Sequence, residues 1–220
     1  MNREFWQGRW DEGRIGFHQE EINPYLQRYW PALGLAPGAS VFVPLCGKSR
    51  DMLWLRDQGH PVIGVEIVPR AVEAFFAENA LAAERRAHGP LTLWQGEGIR
   101  IYQGDVFDLG AAELNGVGGV YDRASLIALP PPLRRRYAAH LHAVLPAGLD
   151  VLLVTMDYPQ FEMEGPPFAV TEQEVTALYG EHFRIEQLCS EDILSANPHF
   201  REQGLSSLAE KVYILRAQLP

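Results

Sequence analysis

Cysteine is scarce in this chain of 220 residues, with only Cys46 and Cys189 present. Two thiols make neither a disulfide framework nor a set of metal ligands, so both are expected to be free and a stapled scaffold is excluded. Positive charge is also short: 19 Lys and Arg stand against 28 Asp and Glu, leaving a net charge of −9. That is the wrong sign for gripping a polyanionic backbone, so nucleic acid is not an expected partner. No apolar run is long enough to span a bilayer, and no apolar stretch of signal-peptide type follows Met1-Asn2-Arg3-Glu4-Phe5. Neither a membrane partner nor export is expected, which points to the cytoplasm. Internal repeats and low-complexity tracts are missing too.

What is present is ample apolar material, 47% of the residues, enough for one sizeable core and a single domain over 1–220. Residues 1–38 read as a helical, polar-aromatic extension carrying Trp6, Trp10, Phe17, Tyr25, Tyr29 and Trp30, closed by the turn signal Pro37-Gly38. Simple packing is the expected role of Tyr25 and Trp30. From 39 to 220, short apolar runs alternate with amphipathic segments, the pattern of βαβ units around a parallel sheet. Strands are expected at 41–45, 62–66, 99–102, 119–121, 151–155, 184–188 and 211–216, with a helix over about 133–144 after Pro130-Pro131-Pro132. The last two strands form a hairpin and are expected to be antiparallel.

Open parallel sheets bind ligands beyond the carboxyl ends of their strands, so the turn after the first strand, Pro44-Leu45-Cys46-Gly47-Lys48-Ser49, is the first candidate site. Gly47-Lys48-Ser49 imitates the end of a phosphate-binding loop, but the position five residues before Gly47 holds Phe42 where that motif requires glycine. The single glycine likewise falls short of a dinucleotide fingerprint, which weakens NAD or FAD. A turn suited to a small zwitterionic or sulfonium ligand is left. Glu66 ends the second strand, 19 residues beyond Gly47, where a carboxylate can accept from both ribose hydroxyls; the alternative is a solvated strand-end group. Asp105, with Val106, follows the third strand and is either a contact to an adenine edge or a turn and N-cap residue. In Tyr121-Asp122-Arg123-Ala124 an acid and a base adjoin in an apolar run, and each needs a partner if buried. Arg123 is structural or a site residue, and its strand-end position favours the site.

Other reactive side chains read as structural. His140 and His142 point to different faces of one helix and lack further ligands, so no metal site is expected. Cys46 is expected to be a buried, inert thiol. Arg134-Arg135-Arg136 reads as a solvated helix face able to steer anions.

Taken in order, Phe42-Val43-Pro44-Leu45-Cys46-Gly47-Lys48-Ser49, Gly59-His60, Val62-Ile63-Gly64-Val65-Glu66, Tyr121-Asp122-Arg123-Ala124, Pro130, Gly165-Pro166-Pro167-Phe168 and Glu210-Lys211-Val212-Tyr213 resemble the thiopurine S-methyltransferase family in its shorter bacterial form. The resemblance covers nearly the whole chain. It implies a Rossmann-like α/β fold: a seven-stranded, mostly parallel sheet with one antiparallel strand, helices on both faces and an N-terminal helical lid. It also implies S-adenosyl-L-methionine as methyl donor, no metal, a small thiol as acceptor, and a monomeric cytoplasmic enzyme. Trp10, Leu45, Glu66 and Arg123 are assigned by it to the donor, beside Gly47, with Asp105 and Val106 at the adenine. Phe17, within Phe17-His18-Gln19-Glu20, and Arg201 would face the acceptor; around Arg201 the chain departs from the family pattern. Bacterial relatives are associated with selenium and tellurium species as well as aromatic thiols. Arg123 is also the expected stabiliser of an acceptor thiolate, and the segment 157–168 is a candidate gate. Two other readings compete: a non-catalytic module sensing an adenosine ligand, and a Rossmann oxidoreductase weakened by the missing glycines.

Overall fold

The computed structural model describes residues 3–218. By its contacts the chain divides into two compact units, 1–121 with 144–146, and 122–143 with 147–220.

The first unit opens with α1 (Arg3–Asp11), α2 (Pro24–Tyr29) and a 3-10 turn at Trp30–Leu33. Asn23 caps α2, its side-chain oxygen accepting from the N–H groups of Tyr25 at 3.0 Å and Leu26 at 3.3 Å, and Pro24 supplies a preset φ at the start. Tyr25 and Trp30 do pack in the core, the Trp30 ring meeting His60 and Tyr121 edge-on. There follow β1 (Ser40–Val43), α3 (Asp51–Asp57), β2 (Val62–Glu66), α4 (Pro69–Glu78), β3 (Glu84–His88), β4 (Leu91–Gly96), β5 (Ile99–Gln103) and β6 (Val117–Arg123). The strand order is β3-β4-β5-β2-β1-β6. β5, β2, β1 and β6 run parallel, and every residue of β2 is buried, which is why it reads as an unbroken apolar run ending in Glu66. From β1 the chain adds strands first on one side and then, with β6, on the other. Such a reversal opens a crevice at the carboxyl end of β1.

Two expectations are corrected here. Nine strands form among the described residues, not seven, and more than one is antiparallel: β4 opposes both β3 and β5. The hairpin escapes a hydrophobicity reading because β3 is Glu84-Arg85-Arg86-Ala87-His88, almost wholly exposed. Cross-strand pairing holds it, Arg85 lying opposite Trp94 with its guanidinium 5.0 Å from the indole centroid.

The second unit contains α5 (Ser125–Ala128), α6 (Pro131–Val144), β7 (Asp150–Asp157), α7 (Glu172–Tyr179), β8 (Phe183–Asp192), α8 (Pro198–Glu202) and β9 (Ala209–Ala217). β9 runs antiparallel to β7 and β8, so the C-terminal pair is antiparallel as expected, although a long connection carrying α8 joins its strands. The arginine triplet on α6 is not a uniformly solvated face. Arg135 and Arg136 are exposed, but Arg134 is only 1% exposed; its Nε donates to the carbonyls of Leu126 and Leu129, both at 2.8 Å, and it pairs with Glu174 at 2.5 Å. The 157–168 segment is held by bonds within itself and to residues beyond it. Tyr158 donates its hydroxyl to the Pro167 carbonyl at 2.6 Å, Gln160 bridges Met163 and Ala169, and Glu162 accepts from the Ser206 hydroxyl at 2.7 Å.

Candidate functional site: the strand ends of the first unit

β1 ends at Val43, and the turn that follows places Leu45 at φ 44° and Gly47 at φ 54°, both left-handed. Glycine takes that region without penalty, and Leu45 is held in it by its neighbours. The Cys46 N–H donates to the Val65 carbonyl at 3.0 Å and the Gly47 N–H to Glu66 Oε2 at 2.8 Å, lashing the turn to the end of β2. The other Glu66 oxygen accepts from the Val68 N–H at 2.8 Å. Glu66 is therefore no solvated strand-end group: it is 7% exposed. Burial pushes its carboxyl above the usual range, while the N–H groups of Val68 and Gly47 pull the other way. A carboxylate offers about four lone-pair sites; these two backbone bonds leave capacity for two further donors, such as a pair of ribose hydroxyls.

The same geometry reaches β5. The Gly104 N–H donates to the Glu66 backbone carbonyl at 2.8 Å, which sets Asp105 and the buried Val106 beside the β2 terminus. The Asp105 carboxylate caps the short 3-10 turn Val106–Asp108, accepting from the Phe107 N–H at 3.1 Å. Its N-cap role is thus real, and a free oxygen remains for a ligand.

From the other side, α1 packs on α4. Trp10, 6% exposed, joins Val68 and Ala71 in a cluster, and a Cβ added to Gly47 would meet the Trp10 ring at 3.7 Å. The glycine turn and the indole thus face each other directly. Phe17 reaches Trp10 and Trp6 edge-on with centroids 5.9 and 5.7 Å apart, yet is itself 38% exposed. Trp10, Leu45, Gly47, Glu66, Asp105, Val106 and Phe17 are accordingly gathered at one end of this unit.

The division between the units falls within β6, after Tyr121, so Arg123, the last residue of that strand, and Arg201 belong to the second unit. Arg123 ends β6, half-buried, ahead of Ala124 at φ 67°, and among the described residues its guanidinium has no hydrogen bond or ion pair. Its neighbour Asp122 is 1% exposed and accepts from the Tyr137 hydroxyl at 2.8 Å; burial lifts its carboxyl to about 6. Arg201 lies exposed on α8.

A family model described as thiopurine S-methyltransferase matches residues 1–218. The chain belongs to the thiopurine S-methyltransferase family. A protein of that name from Nitrosospira multiformis is 53% identical over 98% of each chain, and one from Bordetella petrii is 50% identical over 99% of this chain and all of its own. A crystal structure of Burkholderia thailandensis 1,6-didemethyltoxoflavin-N1-methyltransferase, with 1,6-didemethyltoxoflavin and S-adenosylhomocysteine bound, has the same fold. It gives a TM-score of 0.66 at 20% identity, covering 99% of this chain and 87% of that one. The protein is thus a methyltransferase of the S-adenosylmethionine-dependent class.

Within this methyltransferase, Cys46 is buried and its thiol pushed up by burial, first of all, and by the nearby Glu66 charge, which keeps it protonated and inert. A cavity of about 650 Å³ between Pro61, Ala82 and Arg100 opens at the amino ends of β2 and β5, the wrong end for a strand-end site. Among the described residues no helix is long and apolar enough to cross a membrane, and no cluster of three or more His, Cys, Asp or Glu is arranged for a metal. Asp51 and Arg134, both central to local order, carry no sequence motif: Asp51 bonds Asn23 and Tyr121, 28 and 70 residues away, and Arg134 pairs with Glu174, 40 residues away.

Proposed function

We propose that this protein transfers the methyl group of S-adenosylmethionine to the sulfur of small aromatic or heterocyclic thiols such as thiopurines, and acts as a monomeric cytoplasmic enzyme with 1–220 as one functional domain. The observation that carries the reading is the buried Glu66 bound to the Gly47 turn under Trp10. This arrangement fits an adenosyl ligand without a phosphate: an acceptor-only carboxylate suits vicinal hydroxyls and would repel a 2′-phosphate.

In this reading Glu66 holds the ribose, the Leu45–Gly47 turn carries the amino-acid end, and Asp105 with Val106 meets the adenine. Trp10 and Phe17, within the lid 1–38, close over donor and acceptor, and Arg201 meets the acceptor from α8. The donor supplies a methyl group on a sulfonium, which departs as a neutral thioether and needs no proton. The chain's task is alignment of a sulfur lone pair with that methyl, and exclusion of water. Heteroaromatic thiols ionise readily, releasing their proton to solvent. Arg123, with no ion-pair partner among the described residues, is suited to stabilise the resulting thiolate. Selenium and tellurium nucleophiles, softer still, are further acceptors on the same geometry. The segment 157–168, with Phe161 90% exposed at its tip, is proposed as the acceptor-side gate.

Labelled methyl transfer to 6-mercaptopurine, thiophenol, selenite and phenol tests the proposal. Transfer to the thiols and not to phenol is expected. Intact donor binding without transfer to any acceptor would favour the non-catalytic adenosine sensor.

A further inference from the structure

Asp51 is a buried carboxylate with no part in the proposed chemistry. It opens α3 directly after the donor turn and is 2% exposed. One oxygen accepts the backbone N–H of Asn23 at 2.8 Å, the other the hydroxyl of Tyr121 at 3.0 Å, partners 28 and 70 residues away in sequence. Its own N–H donates to Ser49 Oγ at 3.2 Å, binding it back onto the turn. Asn23 is the cap of α2, and beside it Arg50 donates to the Glu20 carbonyl at 2.9 Å. The stretch 17–23 is therefore tied at its far end to the donor turn, while Phe17 at its near end meets Trp10.

We infer that Asp51 is the positioning residue that seats the N-terminal segment over the donor turn. This rests on the reading of Trp10 and Phe17 as the donor's cover. A carboxylate suits the role because two coplanar acceptors gather an amide and a hydroxyl from separate elements, and the first turn of a helix favours a negative charge. With both oxygens engaged, Asp51 anchors and does not act as a base. Removing it orphans the buried Asn23 N–H and takes away the carboxylate to which the Tyr121 hydroxyl donates, so the segment loses its seat.

The experiment is steady-state kinetics on the full chain, with hydrogen exchange as a second readout. Asp51→Ala should raise the KM for S-adenosylmethionine about tenfold, with kcat within about threefold, and speed amide exchange across 17–26 but not in β2. Asp51→Asn keeps an acceptor for Asn23 and offers its amide to the Tyr121 oxygen, so it should recover most of the loss. Tyr121→Phe, which deletes one hydroxyl, should raise the KM about threefold and carries the test if the alanine variant does not fold. A native KM in folded Asp51→Ala, or in Tyr121→Phe if that variant must decide, overturns the inference. Trp10→Ala separates the two levels: a raised KM there with a native KM in Asp51→Ala rejects Asp51 alone, and a native KM in Trp10→Ala rejects the cover itself.

Discussion

Replacing Glu66 with Gln isolates what the carboxylate does, because volume is kept while one acceptor oxygen becomes a donor. The buried side chain accepts from both Gly47 and Val68, so the new amide must face one of those N–H groups and leave it without an acceptor. An unsatisfied buried donor costs about 1–3 kcal/mol. Losing the charge works the other way, since burial already penalises it. The net destabilisation should therefore stay near the lower figure, a Tm fall of about 2–4 °C for a chain of this size. The ligand effect should be larger. Hydrogen bonds from hydroxyls to a carboxylate contribute about 1.5–3 kcal/mol, so affinity for S-adenosylhomocysteine should drop roughly tenfold to a hundredfold. Calorimetric titration beside a thermal melt reads both. A lowered Tm with unchanged affinity would make Glu66 a brace for the Gly47 turn and refute its role at the ribose.

Arg123→Ala should lower turnover with thiols more than it lowers donor affinity, by about 10- to 100-fold in kcat; single-turnover rates with bound donor check it, and unchanged turnover removes the thiolate role. Asp122 sets a pH dependence. Its folded value of about 6 lies above the ordinary 3.8, so its contribution to stability is full below the lower value and is lost as pH rises through the higher, about 3 kcal/mol in all. Asp122→Asn, which still accepts from Tyr137, should flatten that part of a urea-denaturation series between pH 4 and 7; a variant whose stability tracks the native protein at every pH contradicts this. Arg134→Met should cost about 3 kcal/mol by stranding two carbonyls and Glu174, and Lys should not rescue it, since an ammonium cannot span the three acceptors; chemical denaturation of all three proteins decides.

The parts legible in the sequence were those written locally. Seven apolar runs announced seven strands, Gly47 and Glu66 pointed to the strand-end turn at which the structure joins them, and the aromatic-polar start announced helices. The hairpin β3-β4 was hidden because one of its strands is charged and exposed and finds its register through cross-strand pairs such as Arg85 with Trp94. Arg134 reads as solvated for a related reason: it adjoins two exposed arginines, and its burial depends on Glu174 and on carbonyls of another turn. Asp51 is silent in the sequence because an isolated acid at the start of a helix looks solvated until Asn23 and Tyr121 are placed upon it. For Asp105 both open roles remain compatible, since its cap uses one oxygen.

The central claim is methylation at sulfur, and the most direct test is to locate the methyl group on the product. 6-Mercaptopurine incubated with the protein and trideuteromethyl-labelled S-adenosylmethionine should yield a single product with the label on the exocyclic sulfur, identified by mass spectrometry and NMR. Label on a ring nitrogen, or none on the purine while the donor still binds, would contradict the account.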